Sequence, residues 1–161
     1  MTDAAPAPWL TEDQQQTWRA FLAAIAVIDD SLDAALRPFD LDLGEYEILV
    51  KLSEAPDRRL RMSELAQAVR QSRSRLTHTV ARVERKDFIH RESCPDDRRG
   101  VIAVLTGRGY ALLEAAAPTH VQSVRDCFVD AVAPADFEAL GRAMRAVLDA
   151  VMAGRRRPPA T

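Results

Sequence analysis

Apolar side chains return every three or four residues along most of this chain, and that spacing predicts a succession of helices. From residue 12 to residue 36 the positions Trp18, Phe21, Leu22, Ile25, Ile28, Leu32 and Leu36 share one broad face, with Pro38 just past the end. A second helix is expected over about 44–54, burying Tyr46, Leu49, Val50 and Leu52 and stopping before Pro56. Ser63 is placed to cap a short helix through Val69, turning Leu65, Ala66 and Val69 inward. Ser72 or Ser74 would cap another that reaches about Lys86. Two short helices three or four residues apart make a helix-turn-helix pattern.

Beyond Asp87 the period changes. Residues 88–93 and 101–105 are β-prone and flank the turn-rich 95–100, which predicts a hairpin. Helical spacing resumes at Thr106 and is expected to continue to about Val132, with a bend at Pro118. Pro134 opens a last helix that sets Phe137, Leu140, Met144, Val147, Leu148 and Val151 on one side. Residues 1–11 read as a flexible arm and residues 154–161 as a flexible tail.

The length of 161 residues, 47% hydrophobic and 29% charged, suits one compact domain or two small lobes. The longest uninterrupted apolar run is the nine residues from Ala20 to Ile28, too short to span a membrane, and the first ten residues carry one acid and no base. Cytoplasmic residence is therefore expected. Cys94 and Cys127 make no disulfide framework, and His78, His90 and His120 fall in three different elements without zinc-ligand spacing. No GxSxG, P-loop or HExxH string occurs, so neither a catalytic site nor a metal or cofactor is expected.

A net charge of −2 conceals a segregation. Residues 58–99 hold twelve of the twenty-two Arg and Lys but six of the twenty-four Asp and Glu, a net of +6, while residues 1–57 carry −9 and residues 100–161 carry +1. A basic middle between acidic and neutral flanks suits a polyanion partner. Composition bias explains why twenty of the bases are Arg, but not why they cluster.

At 100° per residue, Leu76, Val80 and Val83 fall on one side of the helix expected over 72–86. Ser74, Arg75, Thr77, His78, Ala81, Arg82 and Arg85 lie opposite. Hydroxyls, an imidazole, a small residue and guanidinium groups on one face match base edges and phosphates of a DNA groove. An ordinary solvated face would carry both signs with supporting pairs, and here the acids are largely missing. At the hairpin tip, Arg98 and Arg99 suit the negative potential of a narrow minor groove. Asp97 beside them would repel phosphate alone and is read as orienting a neighbouring arginine.

These residues resemble the winged helix-turn-helix of the MarR (multiple antibiotic resistance regulator) family. The resemblance runs over 62–113 and is carried by SELA at 63–66, DRRG at 97–100 and LTGRG at 105–109 in their proper order. It implies a mainly α fold with a small β-hairpin wing. The winged helix-turn-helix head would span residues 37–105, with dimerisation helices at 12–36 and 106–153. It further implies a homodimer on a pseudo-palindromic operator in double-stranded DNA, with repression released by a small aromatic or phenolic effector or by cysteine oxidation. Carried over by position, Ser72, Arg73, Ser74, Arg75, Thr77, His78 and Arg82 form the DNA-contact set, with Arg98 and Arg99 in the wing. The family commonly has Gly where this chain has Arg70 and Asp87. Asp tolerates a left-handed backbone better than Arg does.

The regulating signal is the least legible part. Cys127 reads as a buried small hydrophobe. Cys94, near Arg91, Arg98 and Arg99, is the better redox candidate, though a structural role is favoured. A ligand pocket between the first two helices and the head would draw on Trp18, Tyr46, His120 or Arg37, each of which also has an ordinary core or surface explanation. The competing class is a winged-helix protein-interaction module that does not read DNA; binding that falls steeply with salt separates the two.

Overall fold

The computed structural model describes residues 8–94 and 97–155, the side chains of Arg98, Arg99 and Arg155 excepted. Two compact units divide it, Met1–Ser123 and Val124–Thr161. Along the chain run α1 (Glu12–Leu36), a 3₁₀ turn (Arg37–Phe39), α2 (Leu43–Glu54), a second 3₁₀ turn (Pro56–Arg58), β1 (Arg59–Arg61), α3 (Met62–Ala68) and α4 (Arg73–Arg85). The strands β2 (Ile89–Cys94) and β3 (Asp97–Leu105), then α5 (Gly107–Val124), a π turn (Arg125–Val129) and α6 (Pro134–Arg155) complete it.

The core of the first unit gathers the apolar faces of α2, α3 and α4 over the sheet. Ile48, Leu49, Leu52, Leu65, Leu76, Val80, Val83 and Ile89 are almost wholly buried there. Burying one such side chain is worth about 2 kcal/mol, so the anticipated inward set of α4 fixes which of its sides faces solvent.

Helix starts follow side-chain chemistry. Thr11 caps α1 and Asp42 caps α2, each with a reciprocal bond from the residue three later, Gln14 and Glu45. Ser72 caps α4 by accepting from the N–H of Arg75 at 3.2 Å. Ser63 does not cap α3. The helix opens two residues earlier, at Met62, and Arg61 is the cap, its N–H donating to Glu64 Oε2 at 3.2 Å. The boundary moved because the chain enters α3 directly from β1, a strand absent from the sequence reading: its three residues, Arg-Leu-Arg, carry no β signal of their own.

β1 is held by pairing. The sheet order is β1-β3-β2, antiparallel throughout, with Arg59 opposite Val104, Arg61 opposite Ile102, Ile89 opposite Leu105 and Ser93 opposite Val101. A register shift between Ser93 and Cys94 marks a bulge before the hairpin turn.

Both positions where glycine was the family norm adopt a left-handed backbone, Arg70 at φ 52° and Asp87 at φ 61°. Gly109 is needed for space: a Cβ there would come within 2.1 Å of the Phe88 carbonyl oxygen. Thr106 seals the same junction, donating to that carbonyl at 3.0 Å and accepting from the N–H of Gly109 at 2.9 Å. LTGRG is thus the joint between wing and α5.

Further on, α5 runs through Pro118, and the irregularity falls later, at the π turn. Cys127 in that turn is half-buried, where full burial was expected. In the second unit Phe128 and Phe137 meet edge to face at 5.5 Å. The expected arm and tail lie mostly outside the described residues, but Gly154 and Arg155 still belong to α6.

Candidate nucleic-acid interface

Ser72, Arg73, Ser74, Arg75, Thr77 and His78 all stand exposed on the first two turns of α4. Arg73 and Arg75 are exposed and make no close ion pair with a described residue, although Arg75 stands near enough to Glu47 of α2 to favour its charged form. Thr77 donates its hydroxyl to the carbonyl of Arg73 at 2.8 Å, which leaves its oxygen able to accept. The exposed N-terminal turn of α4 adds its own positive dipole end.

Arg82 differs. Its guanidinium bonds Glu45 at 3.1 Å and also Asp42, so the last member of the predicted contact set is held by carboxylates of α2. Lys86 joins the same group, 3.0 Å from Glu45. Glu45 was not singled out in the sequence, yet it is 2% exposed. Its D-x-x-E spacing from Asp42 signals a capping box, though not the two cations beyond it.

On the wing, β3 begins at Asp97 and carries the backbone of Arg98 and Arg99; their side chains lie outside the described residues. Asp97 pairs with Arg61 at the start of α3, 3.6 Å away, a partner the sequence reading did not name. Arg61, Arg73 and Arg91 line a groove of about 410 Å³ together with Ser63, Thr77 and Gly100. Arg91 in turn bonds Glu84, whose carboxyl it holds below the usual range. His90 at 2.9 Å, and Arg59 at 2.8 Å, do the same for Glu92 on the outer sheet face. Close carboxylate partners therefore meet the second half of α4 from the start of α2, while no close ion pair is made by the first half.

Of the four residues considered for a ligand pocket, two come together. The rings of Tyr46 and His120 lie 4.4 Å apart and border a hollow of about 540 Å³ that also meets Asp29, Leu32, Glu47 and Lys51. His120 Nδ1 is buried with no partner among the described residues, and burial pushes the imidazole pKa down. Burial, and then the nearby Asp29, push the Glu47 carboxyl up. Trp18 instead stacks on Phe21 at 5.8 Å with 52% of its surface exposed, and Arg37 pairs with Asp33 at 3.7 Å. Cys94 is buried, which denies the access that a reactive thiol requires.

Known proteins share this fold. The MarR family model matches residues 41–101. AbsC, a MarR family transcriptional regulator from Streptomyces coelicolor, is 41% identical and superposes with a TM-score of 0.84 over 91% of this chain and 99% of its own. The chain belongs to the MarR family. A second MarR family transcriptional regulator from that organism, Sco3205, solved in complex with DNA, is also 41% identical, with a TM-score of 0.85 over 91% of this chain and 92% of its own. The HTH-type transcriptional regulator PecS of Dickeya dadantii (strain 3937) is 31% identical over 102 residues, 62% of this chain. The chain spans 61% of the length of that curated relative. MarR membership accounts for the winged head and for the terminal helices alike, and among the described residues no helix is long and apolar enough to cross a membrane.

Proposed function

We propose that this protein is a dimeric, sequence-specific DNA-binding transcriptional regulator of the repressor type, working in the cytoplasm and carrying no catalytic activity. The observation that carries the reading is the exposed start of α4, where Arg73 and Arg75 make no close ion pair with a described residue and stand beside Ser72, Ser74, Thr77 and His78. On this reading α4 enters the major groove with these six residues, and Arg98 and Arg99 reach the adjacent minor groove. That Sco3205 was solved with DNA at 41% identity supports it.

A second copy is the partner that suits the terminal helices. Trp18, Phe21, Leu22, Ile25 and Val27 of α1 are exposed, as are Phe137, Val147, Leu148, Val151 and Met152 of α6. Apolar faces of this extent mark an interaction surface. Two heads on a two-fold axis read half-sites about one helical turn apart. The hollow beside Tyr46 and His120 is the place for a small aromatic or phenolic effector, with the imidazole Nδ1 offered to it.

Repeated selection of duplexes from a random library by the purified protein tests this. An enriched inverted repeat with a two-fold centre is the expected product; a library that stays unenriched would overturn the reading.

A further inference from the structure

Glu45 is a carboxylate with 2% of its surface exposed, and its oxygens serve three donors from two helices. These are the N–H of Asp42 at 3.2 Å, Arg82 Nε at 3.1 Å and Lys86 Nζ at 3.0 Å. Arg82 on the last turn of α4 and Lys86 at its C-terminal cap stand four residues apart, so one acid grips the end of the helix at two points. Arg82 also bonds Asp42, and Lys86 also bonds the carbonyl of Asp40. The corner they grip is itself fastened to α1, because Asp33 accepts from the N–H of Leu43 at 3.0 Å. A continuous set of charge-assisted bonds therefore runs from α1, through the start of α2, to the C-terminal half of α4.

Resting on the DNA-reading role above, we infer that Glu45 is the positioning residue of the recognition helix, and that Arg82 serves as its clamp rather than as a phosphate contact. A guanidinium split between a buried and a half-buried carboxylate has little charge left to neutralise phosphate. It has, however, the geometry to fix how α4 is tilted against α1, which a helix that must enter a groove requires.

The sign of one substitution separates the two roles. Removing a carboxylate from a DNA-binding surface raises affinity on electrostatic grounds alone, whereas loss of a positioning residue lowers it. Full-length protein and its Glu45→Gln and Arg82→Gln variants are titrated with the duplex that the wild type enriches from a random library, across a series of salt concentrations. Glu45→Gln is expected to bind about tenfold more weakly, and Arg82→Gln to keep the wild-type slope of log K against log salt, since each lost phosphate contact would lower that slope by about 0.9. The double variant should lose less affinity than the two single losses combined, because both act on one network. Amide exchange over residues 79–86 should quicken in Glu45→Gln. Unchanged or tighter binding by Glu45→Gln, or a slope reduced by about one in Arg82→Gln, overturns the inference. Should Glu45→Gln fail to fold, the slope of the half-exposed Arg82→Gln decides alone. A wild type that enriches no duplex overturns the underlying reading as well, an outcome distinct from these.

Discussion

Arg91 on β2, the first strand of the wing, gives Glu84 on the recognition helix three hydrogen bonds, one from its backbone N–H at 3.0 Å and two from its guanidinium at 2.9 and 2.6 Å. The hairpin is thereby tied to the helix it accompanies. Glu84→Gln keeps the shape but loses the charge. With side chains about a third exposed, screening limits the loss to about 1 kcal/mol in urea unfolding at neutral pH. Arg91 holds the folded carboxyl below its ordinary value, so this contribution is complete above about pH 4.3 and disappears as pH falls through the lowered folded pKa. The gap between wild type and variant should close over that acid range; a gap that persists there would mean the charge is not what matters.

His120 gives a second pH signature at a different place. Burial against Tyr46 lowers its pKa from the ordinary value of 6.5, so below that value the unfolded chain takes up a proton that the folded protein refuses. Stability from the neutral ring is present above pH 6.5 and is lost as pH falls through the depressed folded value. His120→Phe keeps a ring against Tyr46 and removes the titration. Relative to that variant, wild-type thermal stability should decline as pH drops from 7 to 5; parallel curves would count against the neutral buried imidazole.

Two glycines in one motif should behave oppositely. At Gly109 an added methyl meets the Phe88 carbonyl oxygen at 2.1 Å, a backbone atom that cannot step aside, whereas at Gly107 nothing lies within 4 Å. Gly109→Ala should therefore cost on the order of 3 kcal/mol in chemical denaturation, while Gly107→Ala should be neutral or slightly stabilising. Equal effects would show that the joint between wing and α5 is looser than its packing indicates.

How far the sequence could be read depended on whether a signal was local. Ser72 as a cap and Leu76, Val80 and Val83 as an inward set are periodic facts about one helix, and the structure has them as expected. Arg70 and Asp87 drew notice only through the family resemblance, which has Gly at both; Asp40, Asp57 and Arg58 are equally left-handed and carried no such sign. Non-local pairings left no such mark. β1 exists because β3 offers an edge to Arg59, Leu60 and Arg61, and three residues carry no period. Glu45 looked like one acid among many on an acidic stretch, and only folding brings it to Arg82, thirty-seven residues later. Arg82 was read as a DNA contact with no sign of the carboxylates at the start of α2 that it also bonds. Asp97 also reaches across the sheet to Arg61, a pairing that no sequence neighbourhood signals. Ser63 was displaced as a cap because the strand before it ends where the helix begins.

Salt dependence of DNA binding tests the central claim most directly. Fluorescence anisotropy of the enriched duplex, with a scrambled duplex of equal length beside it, is followed from 50 to 200 mM salt. Six phosphate contacts predict a loss of about a thousandfold in affinity over that range, with the enriched duplex bound more tightly than the scrambled one throughout. Binding that ignores salt, or that treats the two duplexes alike, would contradict the assignment of the exposed face of α4 to a DNA groove.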